Sequence, residues 1–213
     1  MSIEVLVDLR DQFGDVRNQG ERPTCMAFAV SDAHSFARGN TSPLSVEYAY
    51  FHAVRKRANT DRTTGVSFDA MSEAIANDGQ PLESGWPYLT KLAAGDAWTP
   101  PKELGVLFHR AASKLSGGIA DIVASLDAGR PVVMVMNISI SFFNAAPNQV
   151  LPALIGEPRV NTHAVIAVGR GEITSGPCLL VRNSWGTSWG DGGYAWIHED
   201  YLKPRFLAAG TLN

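Results

Sequence analysis

The chain has 213 residues, 45% of them hydrophobic, and a formal charge of −3; that is enough apolar material for one compact domain or two small lobes. It has no basic block, no basic amphipathic helix and no apolar run near the roughly 20 residues of a membrane helix, so neither a nucleic-acid partner nor a membrane is expected. Two cysteines read as free thiols, and Met1 to Asp8 lacks the basic and apolar regions of a secretory signal. Both features lead us to expect a reducing compartment, most simply a cytoplasm, with export by a signal-free route as the alternative.

In chain order, the first half reads as helical. Thr24 stands where it can cap a helix from Cys25 to about Arg38, ended by Gly39-Asn40. Met26, Ala27, Phe28, Ala29, Val30, Ala33, Phe36 and Ala37 run nearly all round it. Ser31, His34, Ser35 and Arg38 form its polar stripe, so the helix is expected to be largely buried. A second helix follows Pro43 with Ser45 as cap. A third runs from about Phe68 to Asn77 and stops at Asp78-Gly79, and a short fourth occupies Gly118 to Ala128. From Trp86 to His109 proline and glycine predict irregular surface. The pattern then changes: Pro131 to Ser139, His163 to Gly169, Leu179 to Asn183 and Tyr194 to Ile197 read as strands between Gly-rich turns. Helices first and strands afterwards predict an α+β fold with segregated lobes.

Cys25 lies in the first turn of its helix, where unpaired N–H groups and the macrodipole favour a thiolate. Cys178 sits in a core strand, five residues before Asn183 and therefore on the opposite face, and reads as packing. Among five histidines, His163 opens an apolar strand with small neighbours. His34 lies on the far side of the Cys25 helix, roughly 13 Å along its axis, and His52, His109 and His198 lack such a setting. The run from Arg182 to Tyr194 places Asn183 beside Trp185 and Trp189 on a glycine-punctuated turn. Thiol, imidazole and carboxamide in this order are the parts of a thiol acyl-transfer site. No Cys/His cluster has ligand spacing and no Gly-rich phosphate loop follows a strand, so neither metal nor cofactor is expected.

On these residues the chain resembles the papain-like cysteine peptidases. The matching segments are Asn18-Gln19-Gly20, Cys25 with Ala27-Phe28, Leu44-Ser45, Trp86-Pro87-Tyr88, Thr162-His163-Ala164-Val165 and the block from Asn183 to Tyr194. The resemblance implies a single papain-like domain with a cleft between a helical lobe, about residues 8–110, and an antiparallel barrel-like lobe, about 111–213, to which Met1–Val7 crosses. It implies Cys25 as nucleophile, His163 as general acid and base, and Asn183 as the group that orients the ring. Gln19 and the Cys25 backbone N–H would form the oxyanion hole, and Trp185 would shield the His163–Asn183 bond. Gly65-Val66 would be a glycine edge that pairs with extended peptide. Ser67, Phe68, Val135 and Ala164 would border a pocket preferring an apolar side chain two residues before the cleaved bond.

The activity so implied is that of a cysteine endopeptidase working on proteins or peptides through a Cys25 thioester. The same site serves a deamidase, transglutaminase or peptide ligase equally well, and the fold alone permits a non-catalytic binding module. The run Glu21-Arg22-Pro23-Thr24-Cys25-Met26 departs from the family, which usually has a second cysteine before the nucleophile and a tryptophan after it. That removes a disulfide used by secreted relatives and one aromatic wall. The mature-like region begins almost at Met1, so restraint is expected from a separate inhibitory protein or a fused domain. Asn183 follows Cys25 at more than the family's roughly 130–150 residues, which implies an insertion around Ile140 to Arg159.

Overall fold

The structure is a computed structural model and describes residues 2–93, 95–152 and 156–213. Residues 153–155 of the expected insertion lie outside the described residues.

Helix α1 (Cys25–Ala37) ends where Gly39 takes the left-handed conformation at φ +63°. Thr24 occupies its N-cap position, but the hydroxyl makes no capping bond. It meets the Tyr88 hydroxyl at 2.8 Å and the Arg22 carbonyl at 3.5 Å instead. The expected cap is corrected on that point: a partner distant in sequence outcompetes the helix N–H groups. The other caps follow local chemistry. Ser45 Oγ accepts the Tyr48 N–H at the start of α2 (Val46–Arg55), and Ser67 Oγ accepts the Ala70 N–H at the start of α3 (Phe68–Asn77). α4 spans Ile119–Asp127.

The strands are β1 (Glu4–Asp8), β2 (Ala112–Leu115), β3 (Val132–Ile138), β4 (Val150–Leu151), β5 (Asn161–Ile173), β6 (Gly176–Arg182), β7 (Tyr194–His198) and β8 (Phe206–Leu212). Short helices α5 (Ile140–Phe143) and α6 (Glu199–Leu202) follow β3 and β7. One sheet holds them in the order β2-β8-β3-β5-β6-β7-β4, with β1 pairing β5; only β4 on β7 is parallel. β5 is the axis of the sheet. Its residues from His163 to Gly169 are buried without alternation, because α1 and α4 both pack against this strand. β1 crosses so closely that a Cβ at Gly169 would lie 2.5 Å from the Val7 carbonyl oxygen, so only glycine fits there.

β8 shows little strand signal because its centre is Ala208-Ala209-Gly210. Gly210 is nevertheless required: a Cβ there would meet the Phe68 ring at 2.2 Å, and that ring packs the start of α3 onto the sheet. Residues 86–109 carry no helix or named strand among those described, yet they are more than surface. Trp86 is buried, and Trp98 packs on Tyr50 and Phe51 and donates to Glu47 at 2.6 Å. Among the described residues, no helix is long and apolar enough to cross a membrane.

Candidate active site

Because the Thr24 hydroxyl turns away, the first N–H groups of α1 are left open around Cys25. Cys25 is half-buried as a residue. Burial pushes its pKa up, while the backbone N–H groups of Ala164, Met26 and Cys25 itself pull toward the thiolate. Ala164 relates two segments distant in sequence: it follows His163 on β5, and its backbone N–H favours the Cys25 thiolate.

His163 is 4% exposed and pairs across the ladder with Met136 of β3. Its Nε2 lies 2.7 Å from Asn183 Oδ1. That oxygen also accepts the Ser184 backbone N–H at 2.8 Å. A flipped amide would set N–H against N–H, so the oxygen must face both partners. His163 therefore carries its proton on Nε2, and Nδ1 is free to act as a base. Asn183 is held from behind by its own N–H, which donates to the Gly193 carbonyl at 3.0 Å. Burial lowers the His163 pKa to about 4, opposed by the bond to Asn183. Taken singly, thiol and imidazole are both biased toward neutrality, so an ion pair between them must be held by mutual attraction.

An aromatic cluster covers this bond. Trp185 lies 4.6 Å from the His163 ring, and Phe142 sits edge-on to both at 5.9 and 5.5 Å. Phe143 stacks on Trp185 at 4.9 Å and 18°, and Trp189 Nε1 donates to the Phe142 carbonyl at 2.9 Å. Water is kept from the His163–Asn183 bond, which strengthens it. Phe142 and Phe143 belong to α5, inside the expected insertion, and sequence reasoning missed both. Their only signal was two adjacent phenylalanines in a polar stretch.

Gln19 lies on the loop before α1. Its N–H donates to the Ser184 carbonyl at 2.8 Å, and its Oε1 accepts the Ser184 hydroxyl at 2.6 Å. Nε2 donates to the Arg22 carbonyl at 2.9 Å. A primary amide has two N–H groups, so this bond uses one of the two. Gly65 faces the same loop, since a Cβ there would lie 3.8 Å from the Pro23 carbonyl oxygen. The Gly65 carbonyl accepts from Arg57 at 2.7 Å, which leaves one lone pair and the N–H for another strand. Val66 is buried, Ser67 is occupied as the α3 cap, and Phe68 points into the core toward Gly210. Val135, half-buried, pairs with Ala164 across β3 and β5. Among the described residues no group of three or more His, Cys, Asp or Glu is placed to hold a metal ion.

The family profile described as papain family cysteine protease matches residues 4–204. A cysteine protease of Blomia tropicalis is 25% identical over 210 residues, which cover 92% of this chain and 62% of that protein. Cysteine proteinase 3 of Entamoeba histolytica is 33% identical over 201 residues, covering 91% and 62%. The chain thus spans less than two thirds of the length of these relatives. Among solved structures, xylellain, a cysteine protease from Xylella fastidiosa, superposes with a TM-score of 0.81 at 20% identity, covering all of this chain and 87% of that one. A Carica candamarcensis cysteine protease, solved in complex with E-64, gives 0.73 at 22% identity and 97% coverage of both. Those two share the papain-like two-lobed fold, and the profile extends from β1 past the Asn183 turn. The chain belongs to the papain family of cysteine proteases.

Proposed function

We propose that the chain is a cysteine endopeptidase in which Cys25, His163, Asn183 and Gln19 carry the reaction. The observation behind this reading is the Asn183 oxygen, held by Ser184 N–H and bound to His163 Nε2, which leaves Nδ1 as the basic nitrogen; the N–H of the next residue, Ala164, favours the Cys25 thiolate. Nδ1 takes the thiol proton as sulfur attacks the peptide carbonyl. The oxyanion is met by the Cys25 N–H and the second Nε2–H of Gln19. The C–N bond breaks, His163 returns its proton to the leaving amine, and a thioester remains. His163 then deprotonates a water that attacks the thioester, releasing the acid and restoring the thiol. An extended substrate lies along Gly65-Val66, with an apolar side chain toward the pocket bordered by Ser67, Phe68, Val135 and Ala164.

Mass spectrometry tests this reading. Wild type offered an unfolded protein should cut it and should gain one E-64 adduct on Cys25, while Cys25→Ala does neither. A one-dalton shift or a crosslink without cleavage would favour the deamidase or transglutaminase use of the same thioester. Absence of any label on a folded chain would favour a binding module.

A further inference from the structure

Arg22, three residues before the nucleophile, is 8% exposed, and its guanidinium ends inside the helical lobe. Nη1 and Nη2 donate to Glu47 Oε2 and Oε1 at 2.6 and 2.9 Å, and Nη1 also reaches the Leu89 carbonyl. Glu47, on α2, has no exposed surface. Its remaining lone pairs accept the Leu89 N–H at 2.9 Å and the Trp98 indole N–H at 2.6 Å. Four donors on one carboxylate satisfy it fully. Such a buried pair contributes little stability over an apolar replacement, whereas losing one partner strands the other charge. What the pair supplies is therefore geometry.

That geometry lies at the other end of Arg22. Its backbone carbonyl is the acceptor that holds Gln19 Nε2 at 2.9 Å, and it also accepts the Thr24 N–H at 2.8 Å. Tyr88, whose ring lies 5.1 Å from the guanidinium, donates to the Gln19 carbonyl at 2.8 Å and meets the Thr24 hydroxyl at 2.8 Å. Both cysteines are free, so no covalent bond holds this loop. We infer that Arg22 and Glu47 are positioning residues for the oxyanion hole. Their buried pair pins the Arg22 carbonyl, which takes one N–H of Gln19 and thereby aims the other into the cleft. This inference rests on the peptidase reading above.

The test combines Arg22→Met, Arg22→Lys and Glu47→Gln with Gln19→Ala. It reads kcat and KM on a fluorogenic peptide amide, the rate of Cys25 alkylation by iodoacetamide, and the unfolding midpoint. Alkylation needs the thiolate but no oxyanion hole. Displacing a catalytic donor by an ångström can cost on the order of 100-fold, so Arg22→Met should lower kcat about 10- to 100-fold. KM and alkylation should stay within about threefold. In a Gln19→Ala background, Arg22→Met should add less than about threefold, because residues acting through one group are not additive. Arg22→Lys keeps the charge but not the fork and should recover only part of kcat. Should Arg22→Met not fold, Glu47→Gln, nearly isosteric, carries the same comparison. Full kcat in a folded variant, alkylation falling in step with kcat, or penalties that multiply with Gln19→Ala would each overturn the inference. A wild-type chain that cleaves nothing overturns the peptidase reading first.

Discussion

The Asn183 carboxamide shows how a single acceptor can set the state of a site. It has no charge, yet by holding Nε2 it decides which imidazole nitrogen carries the proton and leaves Nδ1 as the basic one. Its own Nδ2 is buried and finds no partner among the described residues, so the site accepts a desolvation cost to keep the oxygen in place. Cys25, His163 and Asn183 stood out as candidates because each residue type is demanded by the proposed chemistry and each sits in a distinctive local run. Phe142 was not legible, since nothing in Ile140-Ser141-Phe142-Phe143 says that the chain folds back over Trp185. Two substitutions separate its part from that of its neighbour. Phe142→Ala, in a fully buried position, should cost about 3–5 kcal/mol and lower kcat by admitting water to the His163–Asn183 bond. Phe143→Ala removes one exposed stacking contact and should cost about 1 kcal/mol. Urea unfolding and steady-state kinetics on both variants check this.

Helix α1 carries more than Cys25. Its polar stripe was visible in the sequence, but the stripe does not face water. His34 and Ser31 are fully buried beneath Gln80, which donates to Ser31 Oγ at 2.6 Å and to the Ser45 carbonyl at 2.9 Å. The Gln80 oxygen is thus left as the acceptor for His34 Nδ1 at 3.1 Å. Burial lowers the His34 pKa from 6.5 to about 4; Gln80 opposes the shift, and the positive groups Arg110, Arg38 and His109 add to it. The consequence for stability has a definite sign. Above pH 6.5 both folded and unfolded chains hold a neutral His34, and the stability is fully present. As pH falls toward 4 the unfolded chain takes up the proton first, and stability is lost, by up to about 3 kcal/mol. His34→Asn, which cannot charge, should flatten that part of the profile. Denaturant midpoints measured at pH 7, 5.5 and 4 for both proteins decide it.

The two lobes are joined by more than apolar contact between α1 and β5. Asp32 accepts from Arg17 at 2.9 Å and from Arg182 at 2.8 Å, and Arg182 also donates to the Asp15 carbonyl at 2.6 Å. Arg182 is the last residue of β6, and Asn183 follows it. The strap therefore links the helix that begins at Cys25 to the strand end that leads into Asn183. Asp32→Asn leaves a buried guanidinium without its counter-ion and should cost about 2–4 kcal/mol, the lower part of the range allowing for the exposure that Asp32 keeps. Loss of kcat should accompany it, because the lobes then set sulfur and imidazole less closely. Urea titration with parallel kinetics tests both effects; unchanged stability would mean that solvent already screens the strap.

Sequence alone determined what depends on local pattern and residue chemistry: helix periods, serine caps, glycine stops, the change from helix to strand, and the identity of a thiol, an imidazole and an amide able to work together. Tertiary structure decided what depends on contacts between distant segments. The Thr24 hydroxyl chose Tyr88 over its own helix, β8 found its place through a glycine that makes room for Phe68, and α5 folded over Trp185 and the His163–Asn183 bond. Local preferences differ by only a few tenths to about 1 kcal/mol. Burial of an aromatic ring or a paired charge outweighs them, and the partner in such a contact is set by the fold, far from the residue in sequence.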